Sequence, residues 1–229
     1  MNIARTFKDG FARNAKKLLP EAVVREIQLY RAYGADERLL YVRVRLAHQF
    51  ALGNTKLPQV PQSARSILFV CFGNIMRSPM CEALLNRELV FQGAQYRVMS
   101  AGLNATEGRP AHDWAVKAAG ELGISLENHR AQLLTSEMVK RADAIFAMDY
   151  KNQVQLLSRW PDAKKKIFLL GAYASPGCRV GEIADPYYLG LEGTRRCYAI
   201  LTTCVQNFAR SQSIQNETIS QADNSPGPY

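Results

Sequence analysis

A cysteine and an arginine are separated by five residues at a point where an apolar run gives way to a helical pattern. The run Ser66 to Val70 reads SILFV and leads into Cys71, and the helical pattern begins just after Arg77. Five residues suffice to wrap a loop whose N–H groups converge on one point, aided by the N-terminus of the following helix. These dipoles and the guanidinium favour a thiolate over a thiol. The spacing therefore predicts an anion-binding loop with an activated cysteine nucleophile.

Two further residues of this segment fit that chemistry. Gly73 is predicted to supply the positive φ that a tight loop needs, and Arg77 can hold two phosphate oxygens at once, as Lys cannot. A Cys-x5-Arg pattern alone is weak in a chain with 5 cysteines, and a small buried core residue is the usual alternative for a cysteine. The coincidence of strand, loop and helix favours the nucleophile for Cys71.

The surrounding sequence alternates between strand-like and helix-like segments, which predicts an α/β fold: a doubly wound, four-stranded parallel sheet flanked by helices. Ligands of such sheets bind at the carboxyl ends of the strands. The predicted strands are Ile67 to Cys71, Tyr96 to Ser100, Ala144 to Met148 and Ile167 to Leu170. The predicted helices are Met80 to Val90, Trp114 to Leu122, Thr135 to Ala142, Asn152 to Trp160 and Gly193 to Arg210.

The stretch VCFGNIMRSP resembles the active-site loop of low-molecular-weight protein-tyrosine phosphatases, and the resemblance extends over about Ser66 to Arg210. It includes SAGL from Ser100, HRAQLLT from His129, DAIFAMD from Asp143 and ADPYY from Ala184. The resemblance implies hydrolysis of phosphotyrosine through a cysteinyl-phosphate formed on Cys71, without metal or cofactor. It also implies that Asn74, Ser100 and His129 support the loop, and that the substrate is bound by Phe72, Gly73, Asn74, Ile75, Met76, Arg77, Ser78, Tyr187 and Tyr188.

Asp185 of the Asp-Pro-Tyr sequence is the general acid that the resemblance implies. A phenolate leaves more readily when it is protonated, and a positioned acid typically contributes about 10² to 10⁴ in rate. The same group, as a carboxylate, can then activate water. Pro186 would stiffen the loop, and Tyr187 or Tyr188 could line the pocket for a planar ring. An ordinary Asp-Pro turn is the alternative.

Two positions depart from the family pattern. Met76 stands where many members have a second cysteine that can protect the nucleophile as a disulfide, and Cys81 is expected to be a buried, inert thiol. Peroxide is therefore expected to overoxidise Cys71. Thr106 replaces an aromatic residue of the animal members, which predicts a more open pocket. The segment Ser100 to Arg130 resembles the bacterial branch, whose members often act on autophosphorylating tyrosine kinases of polysaccharide export.

The charge of +9 lies mainly at the N-terminus, because residues 1–66 hold 12 Lys and Arg against 5 Asp and Glu. Composition predicts three parts: a basic helical extension and linker (1–62), the phosphatase domain (63–210) and a disordered polar tail (211–229). The amphipathic pattern of residues 1–52 fits a helical pair packed on the domain, or contact with an anionic membrane or an acidic partner. Nucleic acid is disfavoured because aromatic residues are not interleaved with the basic ones.

A cytoplasmic location is expected, since the sequence shows no membrane-spanning run and no secretory signal. Its 5 cysteines, without a C-x-x-C spacing, argue against a disulfide framework and a structural zinc site. Two other functions remain open. Thiol-dependent arsenate reductases share the fold and loop, but Cys197 and Cys204 are about 10.5 Å apart along a helix, too far for a disulfide. A phosphotyrosine-binding module is the other, although Cys71, Arg77 and Asp185 are all present.

Overall fold

The structure is a computed structural model that describes residues 34–51, 58–92, 96–174 and 181–223. It divides the chain into two compact units, residues 1–43 and residues 44–229. The amphipathic patterns predicted before residue 34 lie outside the described residues, as do part of the predicted linker and residues 224–229. Among the described helices, none has an apolar stretch long enough to cross a membrane.

The second unit contains a four-stranded sheet in the order β2-β1-β3-β4, with all neighbours parallel. The strands are β1 (Ser66–Cys71), β2 (Arg97–Gly102), β3 (Ala144–Ala147) and β4 (Ile167–Leu169). Strand β1 lies in the interior of the sheet, and its residues from Ile67 to Cys71 are buried. Burial on both faces explains its continuous apolar sequence. All four predicted strands and the doubly wound parallel class are confirmed.

Helices follow each of the first three strands. The described α-helices are α1 (Ala35–Ala51), which precedes β1, then α2 (Arg77–Gln92), α3 (Asp113–Gly120), α4 (Ser136–Arg141), α5 (Tyr150–Arg159) and, after β4, α6 (Gly190–Asp223). Short 3₁₀ helices lie at Pro161–Lys166 and Leu170–Tyr173. Helix α6 is longer than the predicted Gly193 to Arg210. It begins at Gly190, and it continues through polar residues to Asp223. The three-part division of the chain remains a prediction.

Packing between α6 and the sheet holds the carboxyl end of β1 in place. Phe208 of α6 meets Phe146 of β3 edge to face at 4.8 Å, and Phe146 stacks on Phe69 of β1 at 5.5 Å. Tyr198, which is fully buried, donates a hydrogen bond from its hydroxyl to the Met76 carbonyl at 3.0 Å. A buried hydroxyl needs such a partner, so this bond ties α6 to the loop after β1.

Candidate active site

The loop between β1 and α2, residues 72–76, is anchored at its first turn by the chain that follows β2. The Leu103 N–H donates to the Cys71 carbonyl at 3.0 Å, and the Asn104 N–H donates to the Phe72 carbonyl at 2.9 Å. Because β1 and β2 are parallel neighbours, their carboxyl ends meet at this edge of the sheet. The loop therefore lies at the switch in strand order, between β2 on one side and β3 on the other.

The sulfur of Cys71 lies inside the loop and is surrounded by hydrogen-bonding groups. The Asn74 N–H points at it from 3.2 Å, and the Ser78 hydroxyl lies 3.0 Å away. Only 3% of Cys71 is exposed. Donors aimed at sulfur stabilise a thiolate, so this sulfur has the surroundings of a nucleophile.

The prediction that Gly73 supplies a positive φ is wrong. The positive φ of this loop, 53°, is at Asn74. Asparagine tolerates this conformation when its side chain is hydrogen bonded locally. Here the amide of Asn74 donates to Ser78 Oγ at 2.9 Å and to Ser100 Oγ at 2.8 Å, and its carbonyl oxygen accepts from the Gln132 N–H at 2.9 Å. Three bonds hold a strained residue at the centre of the loop.

The glycine that the loop requires is Gly102, at the end of β2. A Cβ at this position would lie 2.9 Å from both the Asn74 nitrogen and the Gly73 carbonyl carbon. Such distances are far inside van der Waals contact, whereas a Cβ on Gly73 would meet nothing closer than 3.6 Å. Gly102 therefore lets the backbone of the loop approach β2 closely.

A polar network joins Ser100 and His129 to Asn74 of the loop. The imidazole Nε2 of His129 donates to the Asn74 carbonyl at 2.7 Å, and the fully buried Ser100 donates to Glu82 Oε2 at 2.5 Å. Gln132 closes the network by donating to the Ser100 carbonyl at 2.8 Å. Burial raises the pKa of Glu82, although the hydrogen bond from Ser100 and the charge of His129 oppose that shift.

Sequence reasoning did not identify Glu82 or Gln132 as members of this polar network. Glu82 is four residues after Ser78 and therefore on the same face of α2, which was a usable signal. The sequence contains no comparable signal for Gln132, because its role depends on how the chain returns to the sheet after α3.

Arg77 is the first residue of α2, and its guanidinium is 1% exposed. One terminal nitrogen donates to Asp149 Oδ2 at 2.6 Å and to the Ile183 carbonyl at 2.8 Å, while the other donates to Asp185 Oδ2 at 2.7 Å. Burial disfavours the charged form, but Asp149, Asp185 and Cys71 outweigh it and raise the pKa of Arg77. The site therefore contains a permanent positive charge that interacts electrostatically with Cys71.

The segment before α6 brings Asp185 to the pocket. Its carboxylate is 44% exposed and accepts from the Tyr187 N–H at 3.2 Å, while Pro186 is buried. Tyr187 is partly buried, and Tyr188 is 91% exposed. Of the other predicted substrate-binding side chains, Phe72 is 41% exposed, with Lys151 Nζ at 5.3 Å from its ring centre.

The side chains of Ile75 and Met76, like that of Asn74, are buried, and these two residues are 5% and 3% exposed. Only their backbone groups are left to face an anion.

Residues 66–220 match the family model described as low molecular weight phosphotyrosine protein phosphatase. The chain belongs to this family. It is an enzyme of the protein-tyrosine-phosphatase class.

Three bacterial proteins that are similar to this phosphatase are 33–42% identical to it over the matched residues. A probable low molecular weight protein-tyrosine-phosphatase, EpsP of Ralstonia nicotianae, is 42% identical over 54% of this chain and 79% of its own. The solved structure of the tyrosine phosphatase AmsI of Erwinia amylovora is 33% identical and covers 68% of this chain and 98% of its own, with a TM-score of 0.61. The arginine phosphatase YwlE of Geobacillus stearothermophilus is 34% identical over 72% and 99%, with a TM-score of 0.59.

The other described thiols of the phosphatase lie in its core. Cys81 of α2 and Cys197 and Cys204 of α6 are all buried. Burial raises the pKa of Cys81, and it raises those of Cys197 and Cys204 to about 12. Helix α6 is continuous through both of its cysteines, which lie within the predicted helix Gly193 to Arg210. Cys178 lies outside the described residues.

Proposed function

We propose that the protein hydrolyses phosphotyrosine in proteins through a cysteinyl-phosphate, with Cys71 as nucleophile, Arg77 as phosphate clamp and Asp185 as general acid and base. The observation that carries this proposal is the convergence of three groups on one pocket. The Cys71 sulfur faces the Asn74 N–H and the Ser78 hydroxyl, and Arg77 at the start of the same helix bonds to Asp185. A nucleophile, a cation and a carboxyl group in this arrangement support phosphoryl transfer.

In the first step, the thiolate of Cys71 attacks phosphorus and the bond from phosphorus to the phenolic oxygen breaks. The electron pair of that bond goes to the phenolic oxygen, which takes the proton of Asp185 and leaves as tyrosine. Arg77 and the N–H groups of the loop stabilise the negative charge on the phosphoryl oxygens. The hydroxyl of Ser78, 3.0 Å from the sulfur, stabilises the thiolate before attack.

In the second step, Asp185 is a carboxylate and takes a proton from water. The resulting nucleophile attacks phosphorus, the sulfur–phosphorus bond breaks, and its electron pair returns to Cys71 as thiolate. Inorganic phosphate leaves. Asp185 ends protonated and is ready for the next leaving group, so acid and base functions alternate on one carboxyl.

The substrate that we propose is a phosphotyrosine protein, and the resemblance to the bacterial branch favours an autophosphorylating tyrosine kinase of polysaccharide export. Tyr187 and the exposed Tyr188 meet edge to face at 4.8 Å beside Asp185. An aromatic pair at this position suits a planar phenyl ring better than a flexible guanidinium chain. Phosphoarginine, the substrate class in the name of YwlE, is the competing one.

Hydrolysis of phosphotyrosine and phosphoarginine peptides of one sequence tests this proposal. With chelator present, the wild type should release phosphate from the phosphotyrosine peptide. Cys71→Ser and Arg77→Ala should abolish release, and Asp185→Asn should reduce it by about 10² or more. Arg196→Ala, which removes an exposed arginine of α6, is the matched control and should retain full activity. Preference for phosphoarginine, or turnover by Cys71→Ser, would contradict the proposal.

For the basic N-terminal region we propose contact with an anionic surface, either a membrane or an acidic partner, at a cytoplasmic location. The exposed apolar residues Leu39, Val42 and Leu46 follow one another at helical spacing in α1. An apolar stripe on a basic segment supports interfacial binding. Cosedimentation of the full chain with anionic but not neutral vesicles should occur, and should be lost in a variant with glutamine at the three positions. Equal cosedimentation with both vesicles would argue against it.

A further inference from the structure

His112 is held by its backbone to the centre of the phosphate loop. Its N–H donates to the Ile75 carbonyl at 3.0 Å. Its Nδ1 accepts from the Trp114 N–H at 3.2 Å and so caps the N-terminus of α3. An N–H can donate only to an unprotonated ring nitrogen. His112 is therefore held at two points, by its backbone on the loop and by its imidazole on the helix.

The same imidazole reaches the segment that carries the general acid. Its ring meets that of Tyr187 edge to face, with 5.4 Å between centroids and 73° between planes. Its other neighbour is the ring of Trp114 at 4.8 Å. The Tyr187 N–H in turn donates to Asp185 Oδ1 at 3.2 Å. A single residue thus links the phosphate loop to the aromatic residue that bonds to the acid.

The acid segment needs such a support. The residues from 182 to 186 form neither helix nor strand, and the Asp185 carboxylate is 44% exposed. A displacement of about 1 Å at a reacting group can cost about 10² in rate. We infer that His112 is a positioning residue for this reaction: its ring holds Tyr187, and through it Asp185, at a fixed distance from the phosphate loop. This inference rests on the proposed function, because it assigns the support of the same acid.

Two substitutions test the ring of His112 and its capping nitrogen independently of each other. His112→Asn keeps a good capping acceptor but removes the ring that meets Tyr187. His112→Phe keeps a ring for the edge-to-face contact but removes the acceptor. If His112 acts only as a helix cap, His112→Phe alone should lose stability and activity. A positioning role predicts a catalytic defect in the first, repaired in the second.

The leaving group distinguishes a displaced acid from general damage. Phenyl phosphate needs a proton on its leaving oxygen, whereas dinitrophenyl phosphate releases a phenolate that is stable without one. Values of kcat/KM on both substrates report the steps up to transfer to Cys71. Asp185→Asn gives the full effect of losing the acid. Lys117→Ala, an exposed position of α3, is the matched control.

We expect His112→Asn to lower kcat/KM for phenyl phosphate by about tenfold, part of the full contribution of an acid, and that for dinitrophenyl phosphate by less than about twofold. His112→Phe should restore the ratio of the two values while lowering the midpoint of thermal unfolding. If the ratio of the two kcat/KM values in His112→Asn equals that of the wild type, whether or not both values fall, the inference is overturned and the proposed function still stands. No turnover of either substrate by the wild type would overturn both.

Discussion

The guanidinium of Arg77 and the carboxylate of Asp185 are bonded to each other at 2.7 Å. The proposed phosphate clamp is thus paired with the proposed acid. A phosphate group that binds Arg77 must exchange places with the carboxylate.

Asp185→Asn should therefore affect anion binding and catalysis in opposite directions. Loss of the competing carboxylate should tighten binding of inorganic phosphate by about two- to fivefold, the size expected for a half-exposed ion pair. In the same variant, kcat/KM for phenyl phosphate should fall. Inhibition constants for phosphate and initial rates measure the two effects.

Asp162→Asn, which removes a carboxylate from the surface 3₁₀ helix, controls for the change in net charge. Weaker phosphate binding in Asp185→Asn than in this control would show that the Arg77–Asp185 pair does not compete with phosphate.

Asp149→Asn should lower both stability and activity. The amide keeps an acceptor for the Asn152 N–H at the N-terminus of α5 but loses the charge beside the buried Arg77. Removing one partner of a buried pair costs about 3–5 kcal/mol when the charge is left alone. Because Asp185 and the Ile183 carbonyl remain, we expect about 1–3 kcal/mol.

Urea unfolding and KM for an aryl phosphate measure these effects. The KM should rise, since Arg77 would pair more strongly with Asp185. If KM and the free energy of unfolding both stay at the wild-type values, Asp149 does not hold Arg77.

Gly102→Ala should disable the phosphate loop without unfolding the domain. The new Cβ would lie 2.9 Å from the Asn74 nitrogen, so the loop must move away from β2. Gly120→Ala in α3 is the matched control, because a Cβ there meets nothing within 4 Å and alanine favours helix by about 0.5–1 kcal/mol. Loss of phosphate binding only in Gly102→Ala, measured by calorimetry, is expected. Wild-type affinity in that variant would mean that the loop tolerates the displacement.

Alkylation at neutral pH should select Cys71 among the described thiols. Burial raises the pKa of Cys197 and Cys204 to about 12, so about one molecule in 10⁵ has either thiol ionised at pH 7. A Cys178→Ala background removes the cysteine outside the described residues. Iodoacetate followed by peptide mass mapping should label Cys71, and inorganic phosphate should slow the labelling. Labelling of Cys81, Cys197 or Cys204 faster than that of Cys71 would contradict this prediction.

The same burial bears on peroxide. A thiol that is not ionised is a poor partner for a sulfenic acid, so Cys81 should not trap oxidised Cys71 as a disulfide. Peroxide should instead carry Cys71 to sulfinic acid, which thiol reductants do not reverse. Intact mass under denaturing, non-reducing conditions measures this. A bridge between Cys71 and Cys81 would contradict it.

Asp143→Asn should reduce stability at neutral pH and have less effect in acid. The carboxylate accepts from the N–H groups of Arg65 and Ser66 at 2.8 and 2.9 Å, and these bonds hold the pKa of Asp143 below its usual value. The stabilisation is therefore present above the unfolded-state pKa of about 3.9 and disappears as pH falls through the lower folded-state value. Because the group is exposed, we expect about 1 kcal/mol.

Urea midpoints of wild type and variant across pH test this. Their difference should be constant near neutrality and shrink below about pH 4. A difference that grows on acidification would mean that the shift has the opposite sign.

Local patterns in the sequence predicted the sheet and the loop that carries Cys71. Each strand of this sheet is a short apolar run followed by a helical period, and Cys71 stands at such a junction. The resemblance implied that Ser100 and His129 support the loop, and in the structure both form hydrogen bonds with Asn74. Such features depend on residues close in sequence or on a family pattern.

Features that depend on the approach of distant segments escaped prediction. Gly73 was expected to have the positive φ, but Asn74 has it, because side chains from β2 and from the chain after α3 supply its hydrogen bonds. The need for Gly102 follows from how closely β2 approaches the loop, which sequence spacing does not encode. Asp149 pairs with Arg77 across 72 residues, and no periodicity indicates that pairing.

A rapid quench of the enzyme with phenyl phosphate, followed by mass mapping, tests the central claim most directly. The account predicts a transient phosphoryl group on Cys71 in the wild type and none in Cys71→Ser. Its formation should be slower in Asp185→Asn with phenyl phosphate but not with dinitrophenyl phosphate. Turnover without any phosphoryl group on Cys71, or a phosphoryl group on another residue, would contradict the account.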